Sequence, residues 1–370
     1  MTQEGLKSLN KIHKQKIEKK EKLNKEYITT RSALGNDWAI FYFFLGGREA
    51  GKSYDVTHFF IRQFIQRGRP FYWMRLTETS KRKLLTNNAE KLIDPDLRRK
   101  YNLDLVTNGD NVYMVTQRLK TQDGTLGKIV EKKLMARVMD LSTFYNDKGS
   151  GLYDNEFLND PNMYYNICLD EMNREMNERK TFDIVYAFVN QLENLVRSTK
   201  KRLRVILIGN TLEEASDILC SFNFIPEKFG RFYLKKKRAI IDNIAPSEKY
   251  LKRRKGTIAD ILMPNASTFT NEIKMDTTLI YKKRLRKPIS IIMFSKDTDD
   301  WFTLWDKDVI AKYNKEHVEK IPMRPYLDSV FITEQRDVIL TTFDLRGYKF
   351  KNLITFKLFQ KNLELLRPKK

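Results

Sequence analysis

Residues 44–55 read FLGGREAGKSYD, and Gly46-x-x-x-x-Gly51-Lys52-Ser53 within them matches G-x-x-x-x-G-K-[ST] in full. In such a loop the glycines let backbone N–H groups turn inward on a phosphate. A following helix adds the partial positive charge of its first turn. Gly46, Gly47, Arg48, Glu49, Ala50 and Gly51 would form the cradle, Lys52 would bridge β- and γ-phosphate oxygens, and Ser53 would hold Mg²⁺. The flanks agree with this reading. Trp38–Leu45 is an apolar, aromatic-rich run ending in glycine, the pattern of a buried central strand. Residues 52–67 place Val56, Phe59, Phe60, Phe64 and Ile65 near helical spacing, with Gly68 as a stop and Pro70 beyond it. Phe71–Leu76 is a second strand, so the loop has the strand–loop–helix–strand context it requires.

Further on, Asn166-Ile-Cys-Leu-Asp170-Glu171 is an apolar strand ending in two acids, the Walker B pattern. Asp170 would enter the Mg²⁺ shell, and Glu171 would polarise the attacking water as general base. The adjacent glutamate points to the additional-strand class of motor ATPases rather than to GTPases. The chain has no NKxD guanine signature, which favours ATP. Val112–Leu119 and Leu134–Leu141 read as a hairpin with a long loop, Phe182–Val196 as a helix, and Arg204–Asn210 as another buried strand. Asn210 either sits beside the γ-phosphate or caps a helix beginning at Thr211. Arg197, between that helix and that strand, could serve a neighbouring subunit as an arginine finger, with Arg202 and Arg204 as rivals. Strands alternating with helices to about residue 230 predict a parallel α/β sheet.

The chain has 370 residues, long for one core, so two domains are expected. A hydrophobic fraction of 41% with 12% aromatics excludes a disordered chain. Net charge is +22, distributed as +5 over 1–35, +2 over 36–227 and +15 over 228–370. Such an imbalance calls for a polyanionic partner, nucleic acid or an anionic membrane face. No run of eighteen apolar residues occurs, so a membrane span is not expected, and the N-terminus lacks the apolar core of a signal peptide. Two cysteines exclude a disulfide framework, and three scattered histidines with no CxxC leave no zinc site to propose. The expected division is a basic helical arm over 1–35, a P-loop ATPase domain over 36–228, a basic linker or lid over 229–256, and a second domain over 257–370. Lys235, Lys236, Lys237 and Arg238, then Lys252, Arg253, Arg254 and Lys255, with aromatics nearby, suit contact with a phosphate backbone without base reading. Of the downstream acids, Asp242, Asp276, Asp299, Asp300 and Asp344, only Asp242 follows a good apolar strand, a poor set for a two-metal nuclease.

The order Gly-Gly-Arg-Glu-Ala-Gly-Lys-Ser, then Asn-Ile-Cys-Leu-Asp-Glu, then Val-Ile-Leu-Ile-Gly-Asn, then a basic half, resembles the genome-packaging ATPases of small podophages of the phi-twenty-nine-like type. These are relatives of large terminases and of FtsK/HerA translocases. The resemblance covers roughly residues 38–215. It implies an additional-strand ATPase domain followed by an RNase H-like domain that has lost its nuclease activity. It implies ATP and Mg²⁺ as cofactors and Arg197 as the trans-acting finger. It also implies a homo-oligomeric ring, a pentamer, docked on the portal of a prohead in the host cytoplasm. Prohead RNA would be a scaffold, double-stranded DNA the load, and no membrane would be involved. The alternatives are a large terminase with an active nuclease, and a nucleic-acid-binding scaffold with a degenerate nucleotide site.

Overall fold

The computed structural model describes residues 27–119, 127–143, 164–173, 182–196, 202–210, 216–264, 277–295, 301–314 and 333–367. The predicted N-terminal arm and Arg197 lie outside the described residues, apart from 27–35. The chain divides into two units. The first comprises 1–212 and 226–273, and the second comprises 213–225 and 274–370.

The first unit opens with a short helix, α1 (Arg31–Leu34), followed by β1 (Phe41–Leu45), α2 (Lys52–Arg67), β2 (Phe71–Arg75), α3 (Glu78–Ala89) and α4 (Pro95–Tyr101). Then come β3 (Leu105–Asn108), β4 (Asn111–Arg118), β5 (Ile129–Asp140), β6 (Tyr164–Asp170), α5 (Ile184–Val196) and β7 (Arg202–Gly209). With β8 (Gly230–Leu234) and β9 (Ala239–Asn243) added, the nine-stranded sheet runs β3-β4-β5-β2-β6-β7-β1-β9-β8. From β5 to β9 every pairing is parallel, while β3, β4 and β8 extend the edges in antiparallel pairs. An additional strand, β7, therefore lies between β1, which leads into the glycine-rich loop, and β6, which carries the acidic pair.

The predicted boundaries follow from burial. All seven residues of β6 are buried, as a strand covered on both faces demands. Helix α2 spans the predicted interval and stops at Gly68, whose φ of 63° is the left-handed conformation that only glycine adopts without cost. Phe60, wholly buried on α2, meets Phe71 at 5.0 Å and Trp73 edge-on at 6.3 Å across the sheet. Burial of one such ring stabilises by about 1.5–3 kcal/mol, which fixes the helix that follows the loop against the strands that flank it.

Residues expected as a linker belong instead to the sheet. β8 (Gly230–Leu234) and β9 (Ala239–Asn243) form a hairpin whose β9 pairs in parallel with β1, and Lys235–Lys237 is the 3₁₀ turn between them. The run of lysines is a hairpin tip, not a break in the fold. Before the hairpin, α6 (Asp217–Ser221) belongs to the second unit, whereas α7 (Glu248–Arg254) and α8 (Ile258–Leu262), after it, remain with the first.

The second unit holds a four-stranded sheet, β10 (Pro288–Met293), β11 (Trp301–Trp305), β12 (Val309–Lys312) and β13 (Lys349–Phe350), in that spatial order. Its first three strands are antiparallel and β13 joins β12 in parallel. Helices α9 (Thr333–Asp344) and α10 (Leu353–Leu366) complete it. Its core is an aromatic cluster in which Phe302 meets Phe294 at 5.6 Å and Phe359 at 5.1 Å, all edge-on. Asp344, one of the candidate nuclease acids, is ion-paired with Arg367 at the exposed end of α9.

Candidate nucleotide site

Parallel strands release their chains at one edge, and ligands of open α/β sheets collect there. At that edge β1 passes into the loop 46–51, β6 ends on Asp170, β7 ends on Gly209 and Asn210, and β2 ends on Arg75. A cavity of about 470 Å³ is lined by residues 48–54 of the loop and helix, by Arg75, Asp170 and Glu171, and by Ile208, Gly209 and Asn210. The structure thus brings the predicted phosphate loop, acidic pair and Asn210 into one space.

The loop reverses at Gly51 with φ of 85°, and a side chain there would meet the Tyr27 ring at 3.0 Å, so glycine is required twice over. Gly209 is a second close approach. A Cβ there would sit 3.0 Å from the Leu45 side chain and 3.2 Å from that of Met172. The Lys52 ammonium donates to the carbonyls of Gly46 at 2.9 Å and Gly47 at 2.6 Å, spanning the mouth of the cradle. Burial pushes its pKa down to about 8, with the Arg48 charge reinforcing the shift and Asp170 opposing it.

A proton link to nucleotide follows. Phosphate oxygens beside Lys52 favour its charged form, so binding near or above pH 8 takes up a proton. Affinity should then fall about tenfold between pH 7 and pH 9. Calorimetry at pH 8.5 in buffers of different ionisation enthalpy should report an uptake of most of one proton. Zero uptake would mean either that Lys52 is already charged in the free protein at pH 8.5 or that it stands away from the phosphates.

Ser53 Oγ donates to Asp170 Oδ1 at 3.2 Å. A hydroxyl and a carboxylate so close together are the hard oxygen donors that Mg²⁺ accepts alongside phosphate and water, so these residues fit the metal. Asp170 is buried, which raises its pKa. Arg75 opposes that rise most strongly, by donating from Nη2 to Oδ2 at 2.8 Å. The other arm of the same guanidinium pairs with the Glu171 carboxylate. Burial alone would depress the Arg75 guanidinium, but its two acidic partners more than offset this. Glu171 has φ of 59°, a left-handed backbone that costs a glutamate on the order of 1 kcal/mol. Its amide donates to Asp170 Oδ1 at 3.1 Å, which ties the strained residue to the acid before it. The resulting carboxylate is 57% exposed on the cavity wall, where water has access.

Arg75 was not among the residues picked out from the sequence. Its only signal there is a charge ending the apolar strand Phe71–Met74, and the sheet order that sets β2 against β6 has no sequence motif.

The basic runs are divided by the structure. Lys235, Lys236 and Lys237 are exposed on the hairpin turn, while Arg238 anchors that turn through Nε to the Trp38 carbonyl at 3.1 Å. Lys252 and Lys255 are exposed, but Arg254 is buried and its Nη1 pairs with the Glu49 carboxylate at 3.1 Å. Arg253 donates to the Glu49 carbonyl at 2.8 Å. The expectation that Lys252, Arg253, Arg254 and Lys255 contact a phosphate backbone is corrected for Arg254, which is buried against the loop, while Arg253 remains exposed as it reaches the Glu49 carbonyl. Asp242, the best nuclease acid by position, is held by both arms of Arg231 across the β8–β9 pair. Among the described residues no group of three or more His, Cys, Asp or Glu side chains is arranged to hold a metal.

A chain of the bacteriophage Phi-29 viral genome packaging motor assembly is similar to this one over 93% of this chain and 100% of its own, at 18% identity and a TM-score of 0.59. The Phi-28 gp11 DNA packaging motor is similar over 93% of this chain and 99% of its own, at 14% identity and a TM-score of 0.61. The chain has the packaging-motor fold. No protein-family model matches the sequence, and no curated protein matches it significantly. In the packaging-motor fold of this chain both units are covered, so the likeness extends well past the phosphate loop.

Proposed function

We propose that the protein is an ATP-driven motor that moves double-stranded DNA into a preformed capsid. One observation carries the enzymatic part: Lys52, Ser53, Asp170, Glu171 and Arg75 line or close a single cavity at the carboxyl edge of an additional-strand sheet. The motor assignment is supported by the likeness in fold to two packaging motors over 93% of the chain and by the net charge of +22. In this reading Lys52 holds the β- and γ-phosphates, Ser53 and Asp170 hold Mg²⁺, and Glu171 takes the proton of the attacking water. When bound, Mg²⁺ supplies charge stabilisation to the transferring phosphoryl group. Arg75 keeps Asp170 ionised and aims Glu171. Arg48 lies on the phosphates as a second cation, and Asn210 stands where the γ-phosphate would end. Arg197 is the charge a neighbouring subunit of a ring, a pentamer, would receive. The second unit is an RNase H-like domain without nuclease activity. The motor works at the portal of a prohead in the host cell, with prohead RNA as a further partner. Among the described residues no helix is long and apolar enough to cross a membrane.

The test is ATP hydrolysis with and without double-stranded DNA. Turnover should rise on addition of duplex, and the gain should vanish steeply with salt, because each phosphate contact contributes about −0.9 to the slope of log affinity against log salt. Hydrolysis indifferent to DNA would leave an ATPase that is not a translocase. Plasmid cleavage in Mn²⁺ would instead favour a terminase with an active nuclease.

A further inference from the structure

A phosphate loop that turns its N–H groups inward turns its carbonyls outward, and those need partners of their own. Here five consecutive carbonyls have them. Lys52 holds those of Gly46 and Gly47, the Tyr250 hydroxyl donates to that of Arg48 at 2.9 Å, Arg253 donates to that of Glu49, and the Ile28 amide donates to that of Ala50 at 3.1 Å. Four residues serve the five carbonyls, and two of the four come from α7. The same helix adds the Arg254–Glu49 ion pair, and Glu49 itself carries a left-handed φ of 62°. Arg253 is stacked over the Tyr27 ring at 4.9 Å, and Tyr27 in turn walls Gly51. Three of the five carbonyls, those of Arg48, Glu49 and Ala50, are therefore held from outside the loop.

Helix α7 has two sides. Positions 250, 253 and 254 share one side at the i, i+3, i+4 spacing and face the loop. Lys249 and Lys252, spaced by three, are exposed on the other, and the exposed Lys255 follows as the extended residue that ends the helix. Ser247 starts the helix by accepting from the Tyr250 amide at 3.1 Å, so the residue that reaches Arg48 is also the one the cap fixes.

We propose that α7 is a clamp with two charged faces, one positioning the phosphate loop for nucleotide and the other taking the phosphate backbone of duplex DNA. This rests on the motor reading above and adds to it the element that links load to fuel. Tyr250, Arg253 and Arg254 are positioning residues: they touch the loop, not the nucleotide. A backbone laid along the three lysines moves or holds a helix seven residues long, and that helix holds the carbonyls of Arg48 and Glu49. Linkage then runs both ways, with DNA altering nucleotide affinity by the same factor that nucleotide alters DNA affinity.

The test measures affinity for a fluorescent ADP analogue with and without a short DNA duplex, and takes the ratio. In the unaltered protein the ratio should be about tenfold. Arg254→Glu sets two carboxylates against each other and should bring the ratio to within about twofold of unity. The charge-reversed pair Glu49→Arg with Arg254→Glu should restore most of it, which a merely misfolded variant would not do. Cooperative thermal unfolding is checked for both. An unchanged ratio in Arg254→Glu, or no recovery in the folded reversed pair, overturns the clamp. A ratio of unity in a protein whose hydrolysis DNA still stimulates overturns the clamp alone. Absence of both DNA binding and stimulation overturns the motor reading and the clamp together.

Discussion

Replacing Glu171 by glutamine should lower ATP turnover by about a thousandfold while leaving nucleotide affinity within a few fold. A positioned general base contributes on the order of 10²–10⁴ to rate, and glutamine keeps the size of the side chain but cannot accept the proton. Glutamine can still take a hydrogen bond from Arg75 through its amide oxygen, so the wall of the cavity stays in place. In the proposed site the phosphate contacts come from Lys52 and the loop, which the change does not touch. Single-turnover hydrolysis measured beside binding of a fluorescent nucleotide separates the two quantities. Turnover within tenfold of the unaltered protein would assign the base elsewhere.

Arg75→Met should cost stability as well as activity. Asp170 has a side chain 4% exposed, and Arg75, 13% exposed, lies 2.8 Å from it. Removing one partner of a buried pair leaves an uncompensated charge, with a penalty of about 3–5 kcal/mol. The sign of its pH dependence follows from Asp170. Burial already raises its pKa, and losing Arg75 raises it further. A carboxyl whose folded pKa lies above its unfolded value binds more protons when folded, so stability declines as pH rises through that interval. The denaturant midpoint of the variant should therefore fall furthest behind at neutral pH and recover as the solution is acidified. A protonated Asp170 also cannot ligate Mg²⁺, so the metal concentration for half-maximal turnover should rise. Arg75→Lys should recover part of both losses, because an ammonium restores the charge without the two-armed geometry. An unaltered midpoint together with an unaltered Mg²⁺ requirement would remove Arg75 from the site.

The phosphate loop, its strand and its helix were legible because their signals are local: glycines at fixed spacing, a continuous apolar run, and a 3.6-residue period ending at Gly68. The acidic pair was legible for the same reason. Arg75 was not, because its role depends on β2 lying next to β6, and lateral strand order is settled by the packing of the whole sheet. Residues 229–256 misled through composition. Lysine and arginine dominate there, yet Ala239, Ile240 and Ile241 are all but fully buried between β1 and β8, and three such residues are enough to place a strand. The run at 252–255 misled through its uniform chemistry. Four consecutive basic residues look alike in a sequence, whereas a helix turns each by about a quarter of a circle and so separates Arg254 from Lys252 and Lys255.

The hairpin turn Lys235–Lys237 enters β9 at the edge of the sheet opposite the nucleotide cavity, and α7 leaves β9 on the cavity side. Ten residues, 238–247, separate the two, of which the five of β9 cover about 17 Å at 3.3 Å each. A duplex advances 3.4 Å per base pair, so the same span is about five base pairs, half a helical turn. If duplex DNA is the load, as proposed, a nuclease-protected stretch of about five base pairs against this element would place the duplex along β9, and a shorter one across it.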